Sequence, residues 1–250
     1  MGDSYRTGWH AVLFSLLLVA TLSNGDMTRA SESEGSEAFA QVLLHNDYVK
    51  VVGLRLSPGS MKAQKNPQHR VIYALSSHSI RHAFDNGVIR EHEFSAGEVH
   101  WVRSGTVNIR NIGDSTARFI EFRSLVTPFD PDPPGPSSHE LGIRTSIAEV
   151  APDQASILLE NDHFRVIEYI IGQGEMLPEH LTTNHVVLSL VDLAIRYIEQ
   201  EKEPYTKRMG EMDIAWHQAG NYALQNMAPR EANFITVEVK PPQRYTDYEP

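Results

Sequence analysis

The chain contains no cysteine among its 250 residues. That absence excludes disulfides, thiolate nucleophiles and every zinc or iron–sulfur site built on cysteine. Positive charge is scarce as well: 22 Lys and Arg face 32 Asp and Glu, a net charge of −10. Without a block of basic residues there is nothing to build a phosphate-binding surface, so nucleic acid is excluded as a partner and an anionic membrane surface is disfavoured. No apolar run reaches the roughly 20 residues that a helix needs to span a bilayer. The longest, Ala11–Leu22, has twelve. Extended helical periodicity is also missing.

Arg6 precedes that apolar run, and small and polar residues follow it. This order describes a cleaved secretory signal rather than an anchor. Residues 1–30 are therefore expected to be a signal peptide, cut after Gly25 or Ala30, with 31–40 as a polar leader. The expected location is secreted or periplasmic, with no stable membrane insertion after cleavage.

The rest of the chain repeats itself. "VLLHNDYVKVVGLRLSPGSM" from Val42 aligns with "ILLENDHFRVIEYIIGQGEM" from Ile157 at an offset of 115, without a gap. Carried on to Phe122 over Val237, 17 of 81 pairs are identical, among them Asn46/Asn161, Asp47/Asp162, Gly59/Gly174, Trp101/Trp216 and Asn111/Asn226. A sustained fixed offset is the mark of a duplicated unit. Two domains are expected, 41–125 and 156–240, joined by a Pro-rich linker over 126–155 and followed by a C-terminal tail over 241–250. The linker's "PFDPDPPGPSS" cannot continue a helix or sit in a central strand.

Within each copy, short runs rich in β-branched and aromatic residues end at turn residues. "YVKVVGLRL" and "HFRVIEYII" are followed by Gly-containing turns, and "FDNG" carries an Asn-Gly hairpin signal. Many short strands with regular turns predict an all-β fold of two tandem antiparallel barrels. Asp47 and Asp162 read as turn residues at strand starts, Trp101 and Trp216 as core anchors, and the acidic run 199–203 as a solvated hairpin tip. No Gly-x-Ser-x-Gly supports a serine triad.

The order "END", Pro58-Gly59, "VIYAL", "AGEVHW" and "NIGDSTARFIEF" resembles the cupin superfamily of jelly-roll barrels. The resemblance covers nearly all of both copies and implies a bicupin. In cupins the turn after the glycine carries His-x-His, a later strand carries a third histidine, and a carboxylate often completes a metal site. Alternate strand residues share a face, so such spacing aims imidazoles into the barrel. Copy one has Lys65, Pro67 and Val107 at those places and retains no ligand. Copy two has His180, Thr182 and Tyr222, with His185 one residue short of the usual carboxylate spacing, which breaks the strand parity unless a bulge restores it.

These four residues are expected to line a pocket in domain 2. His180, His185 and Tyr222 are its weak candidate ligands for a divalent metal; no cofactor is otherwise expected. His69, His78, His82, His92 and His100 alternate with apolar residues and read as half-exposed strand positions, lacking a ligand spacing. The resulting expectation is an exported, non-catalytic bicupin that binds a small molecule or serves as a structural unit, with oligomerisation open to it. The alternative is a cupin enzyme active only in domain 2. It would be either metal-dependent, of dioxygenase or isomerase type, or metal-free, of epimerase or lyase type with His180 as base and Tyr222 as acid.

Overall fold

The structure is a computed structural model and describes residues 38–65, 68–126, 146–199 and 201–240. The expected signal peptide, Pro67, most of the linker and the C-terminal tail lie outside these residues.

The first copy forms β1 (Ala38–His45), β2 (Val49–Leu56), β3 (Met61–Gln64), β4 (Arg70–Ala74), β5 (His78–Phe84), β6 (Ile89–Phe94), β7 (Val99–Val102), β8 (Val107–Asn111) and β9 (Ala117–Ser124). After a short helix α1 (Ile147–Val150), capped reciprocally by Ser146 and Glu149, the second copy repeats the series. It comprises β10 (Ala155–Glu160), β11 (Phe164–Ile171), β12 (Met176–Thr182), β13 (His185–Ser189), β14 (Leu193–Ile198), β15 (Tyr205–Met209), β16 (Ile214–His217), β17 (Gly220–Asn226) and β18 (Ala232–Val239).

Each copy is two antiparallel sheets. The five-stranded sheet runs β1-β2-β9-β4-β7 and the four-stranded sheet β3-β8-β5-β6, with β10-β11-β18-β13-β16 and β12-β17-β14-β15 as their counterparts. The repeat extends to irregularities. The pairing of β1 with β2 slips between Val42 and Leu44, and that of β10 with β11 between Ile157 and Leu159, 115 residues later. Gly59 and Gly174 both take φ 74°, a left-handed turn conformation that favours glycine. Asn46 Oδ1 accepts from two backbone amides at 2.9 Å, and Asn161 Oδ1 does the same at 2.8 and 2.9 Å. These Asx turns start β2 and β11.

Buried side chains fall into three clusters. One fills barrel 1 around Leu54, Ile72, Ile80, Phe94 and Phe119. Another fills barrel 2 around Ile167, Leu177, Ile195, Leu224 and Phe234. The third lies between the barrels, where Val51, Val71 and Phe122 meet Phe164, Val186 and Val237. The five-stranded sheets are thus covered on both faces, which is why every residue of β4 and β13 is buried. A fully buried strand reads as a continuous run rather than an alternation.

The contact between barrels is reciprocal. Tyr48 stacks on Trp216 with ring centroids 5.8 Å apart, and His163, the counterpart of Tyr48, stacks on Trp101, the counterpart of Trp216, at 6.2 Å. Both tryptophans also pack against the inter-barrel core.

Candidate functional site

Alternation along each strand decides which polar side chains enter a barrel. In barrel 2, β12 bulges between Leu177 and His180, after which His180 faces Tyr222 and Thr182 faces Gly220 across the ladder. A side chain at Gly220 would put its Cβ 2.9 Å from the Tyr222 ring, so glycine makes the room that the tyrosine occupies. Thr182 Oγ1 lies 2.8 Å from the Tyr222 hydroxyl and 3.3 Å from the Gly220 carbonyl. His180 sits edge-on to Tyr222 at 6.0 Å; its Nδ1 donates to the Pro178 carbonyl at 2.8 Å. Its Nε2 is buried with no hydrogen-bond partner among the described residues.

His185 begins β13 after the Thr183-Asn184 turn. Its Nδ1 donates to the Thr183 carbonyl at 2.7 Å, and its ring stacks on His217 at 5.5 Å. His217, on β16, is held from two sides. Lys207 Nζ donates to its Nε2 at 2.8 Å, and its Nδ1 points to the Tyr197 hydroxyl at 3.5 Å. Tyr197 stacks on Tyr205 at 5.0 Å and meets Tyr222 edge-on at 5.3 Å. The four expected pocket residues therefore divide. Thr182, Tyr222 and His180 form one group, while His185 joins Lys207, His217 and Tyr197, which sequence reasoning did not single out.

Burial sets the charge states. His185 is pushed down from 6.5 to about 4, chiefly by burial, with His180 and Lys207 adding. His217 falls to about 3 through burial, His185 and Lys207. Both imidazoles are neutral at pH 7. The Lys207 ammonium is lowered by burial. Tyr222 is raised to about 12 by burial, its hydrogen bond to Thr182 drawing it part of the way back, and burial raises Tyr197 also. The interior thus combines neutral imidazoles, protonated phenols and one amine.

Barrel 1 answers differently at the equivalent places. Arg70 and Glu121, both fully buried, approach to 3.7 Å. Glu121 also accepts from Gln64 at 2.9 Å and from Arg123 Nε at 2.8 Å. Val107 is buried in the apolar core.

The cupin ligand positions do not fit a metal in either barrel. Valine offers no donor in barrel 1. In barrel 2 the Thr182 and Tyr222 hydroxyls are bonded to each other, and a phenol at about 12 resists deprotonation. The expectation of a divalent metal in domain 2 is therefore corrected. Among the described residues, the one group of three His, Asp or Glu donors close enough to share an ion is His92, Glu98 and His100, in barrel 1. Two of these are histidines that the sequence placed among half-exposed strand positions.

Comparison with known protein families finds no match, nor does comparison with curated protein sequences. Solved structures do match. A variant of oxalate decarboxylase from Bacillus subtilis superposes with a TM-score of 0.60 at 10% identity, over 84% of this chain and 75% of that one. Oxalate decarboxylase from Lactobacillus farciminis, in complex with formate, gives 0.60 at 12% identity, over 89% of this chain and 88% of that one. The chain has the bicupin fold. At such low identity the likeness speaks for the fold alone. The similar structures are enzymes by their names, and the expectation of a non-catalytic bicupin is corrected on that ground; the catalytic alternative is taken up as a proposal below. No helix among the described residues of this bicupin is long and apolar enough to cross a membrane.

Proposed function

We propose that this bicupin is an enzyme of epimerase or lyase type that acts on a small carboxylate held at the half-exposed Lys207 of barrel 2, by general acid–base chemistry. The observation that carries the proposal is the line from half-buried Lys207 through buried His217 to buried Tyr197, flanked by His185 and Tyr222. Proton abstraction beside a carboxylate needs three things: a cation for the carboxylate, a neutral base, and an acid for the opposite face. Lys207 supplies the cation, with N–H groups to spare beyond the one donated to His217. His185 is neutral, and with Nδ1 donating to Thr183 its Nε2 can accept a proton, while neutral His217 accepts from Lys207 and holds it in place. Tyr197 and Tyr222 stay protonated to high pH and can donate one. The bacterial enzymes of the same fold act, by their names, on a small dicarboxylate, and one was solved with formate; this supports a carboxylate as the substrate class.

The test is to incubate the full chain in deuterated water with oxalate and with small 2-oxo and 2-hydroxy acids, following α-carbon exchange and loss of carboxylate by NMR. At least one acid should turn over. Lys207→Met and His217→Gln should each lower that rate by roughly 100-fold while keeping the thermal transition. Failure of every acid, or variants as fast as the parent, overturns the proposal.

Export belongs to the same proposal, supported by Arg6 and the Ala11–Leu22 run. A soluble product from a secreting host should begin after Gly25 or Ala30 on N-terminal sequencing; a start at Met1 would refute it.

A further inference from the structure

The turn between β6 and β7 lies at a seam. β6 is the outer strand of the four-stranded sheet of barrel 1, and β7 the outer strand of its five-stranded sheet. His92 comes from the first, His100 from the second, and Glu98 from the turn that joins them. One donor atom from each of the three lies within 4.8 Å of the others. The two imidazoles face each other with ring centroids 4.4 Å apart, and Phe94 braces both edge-on, at 4.3 and 5.6 Å.

The turn fixes the carboxylate. Gly97 takes φ 86°, and its amide donates to the Ala74 carbonyl at 2.8 Å. Glu98 Oε2 accepts from the Ser95 amide at 3.0 Å, which leaves Oε1 aimed at His92 Nε2, 2.6 Å away. All three residues are half-buried. His92 also lines a surface depression of about 330 Å³, beside Glu91 and Glu93, through which an ion could enter.

We infer that His92, Glu98 and His100 form a binding site for one divalent transition-metal ion of the zinc class. Two imidazoles and one carboxylate are the donors that zinc, cobalt and iron(II) accept, with at least one position left for water. The carboxylate is already oriented by a backbone amide, the kind of outer support that ligands of metal sites receive. On binding, the ion replaces the proton shared between His92 and Glu98. The ion would bridge the two sheets of barrel 1 at their open edge, a clip in a chain that has no disulfide to do so. Barrel 2 has no counterpart, since Lys207, Asp213 and Ala215 occupy the equivalent positions. The site owes nothing to the chemistry proposed for barrel 2.

The test is titration of the metal-stripped full chain with Co²⁺, read by visible absorption and confirmed by Zn²⁺ calorimetry. One equivalent should bind, with a d–d spectrum of nitrogen and oxygen ligation and a raised thermal midpoint. Glu98→Gln, whose amide oxygen can still accept from Ser95, should weaken binding on the order of 100-fold, as should His92→Gln. His180→Gln with His185→Gln should leave it unchanged. No stoichiometric uptake by the parent, or uptake lost only in the barrel 2 variant, overturns the inference. Should the barrel 1 variants fail to fold, X-ray absorption on the Co²⁺-loaded parent decides. Fewer than two imidazoles around the ion refutes the site.

Discussion

Arg70 in barrel 1 and His185 in barrel 2 stand at equivalent points, 115 residues apart, each opening a strand with all five residues buried. Around Arg70 the barrel gathers full charges: Glu121 at the centre, with Arg123 and Gln64 on it. Around His185 the barrel gathers imidazoles and phenols beside Lys207, with Thr236 at the place of Glu121, Tyr197 at that of His82 and Tyr222 at that of Val107. The three Arg70 side-chain nitrogens find no hydrogen bond among the described residues, so Glu121 balances the Arg70 charge without a direct bond. Imidazoles and phenols are proton carriers, although burial opposes the charge that each would take up. On the function proposed above, one backbone hosts a structural solution and a reactive one, and side chains on the inner faces make the difference.

The sharpest way to break the comparison is at Glu121. Glu121→Leu should cost about 3–5 kcal/mol, because it leaves the Arg70 guanidinium buried beside no carboxylate. Thr236→Val, at the equivalent point of barrel 2, should cost about 1 kcal/mol. Urea unfolding of the two variants measures the gap; equal losses would mean that barrel 1 does not depend on its ion pair.

Asn111 and Asn226 should behave alike. Asn111 Nδ2 donates to the Leu56 and Ser115 carbonyls at 2.9 and 2.7 Å, and Asn226 Nδ2 to those of Ile171 and Arg230 at the same distances. Each is fully buried. Replacement by Ala should cost about 2–3 kcal/mol in either barrel, since backbone carbonyls are left unpaired. Thermal unfolding of both variants would show whether the barrels share this fastening.

Acid should then weaken both barrels, through different residues. His82 in barrel 1 is lowered to about 3, by burial first and by Arg70, His100 and His92 after it. His185 and His217 in barrel 2 lie at about 4 and 3. Each is depressed below its ordinary 6.5, so the unfolded chain takes up protons before the folded one does. The stability they contribute is complete above pH 6.5 and is lost as pH falls from 6.5 towards 3–4. At pH 5.5 the loss should be about 1 kcal/mol per imidazole. His69 is lowered to about 4 as well, so on a count of four such groups His82→Leu should flatten this pH dependence by about one quarter and His185→Leu with His217→Leu by about one half.

The smallest effect sits in a turn. Gly97 takes φ 86°, and its equivalent Met212 is forced to φ 66°. Met212→Gly should stabilise the chain by about 0.5–1 kcal/mol, whereas Gly97→Met should destabilise it by a similar amount or more. Differential scanning calorimetry resolves shifts of that size.

The fold was legible because its devices are local. An Asx turn needs only Asn46 or Asn161, a left-handed turn only Gly59 or Gly174, and a strand only its alternation. The candidate sites were not, because barrel closure makes them. Lys207, His217 and Tyr197 lie on three strands, and nothing along the chain tells which inward residues meet. The cupin pattern marks where ligands stood in relatives, and so directed attention to His180, Thr182 and Tyr222. It is silent on what moved in beside them. His92 and His100 were passed over for a related reason. They lie on edge strands of two different sheets, and the short turn that aims Glu98 between them carries no spacing that a ligand rule recognises.

The paired stacking of Tyr48 on Trp216 and His163 on Trp101 has an evolutionary meaning. A contact in which one surface meets its own equivalent is the signature of a two-fold homodimer. A single-barrel forebear could have used this face to pair with itself, so that joining two copies end to end preserved an interface already in place. Before such a fusion any substitution in the gene altered both pockets together. After it, each half drifts alone, so that one carries a buried ion pair where the other carries imidazoles and phenols.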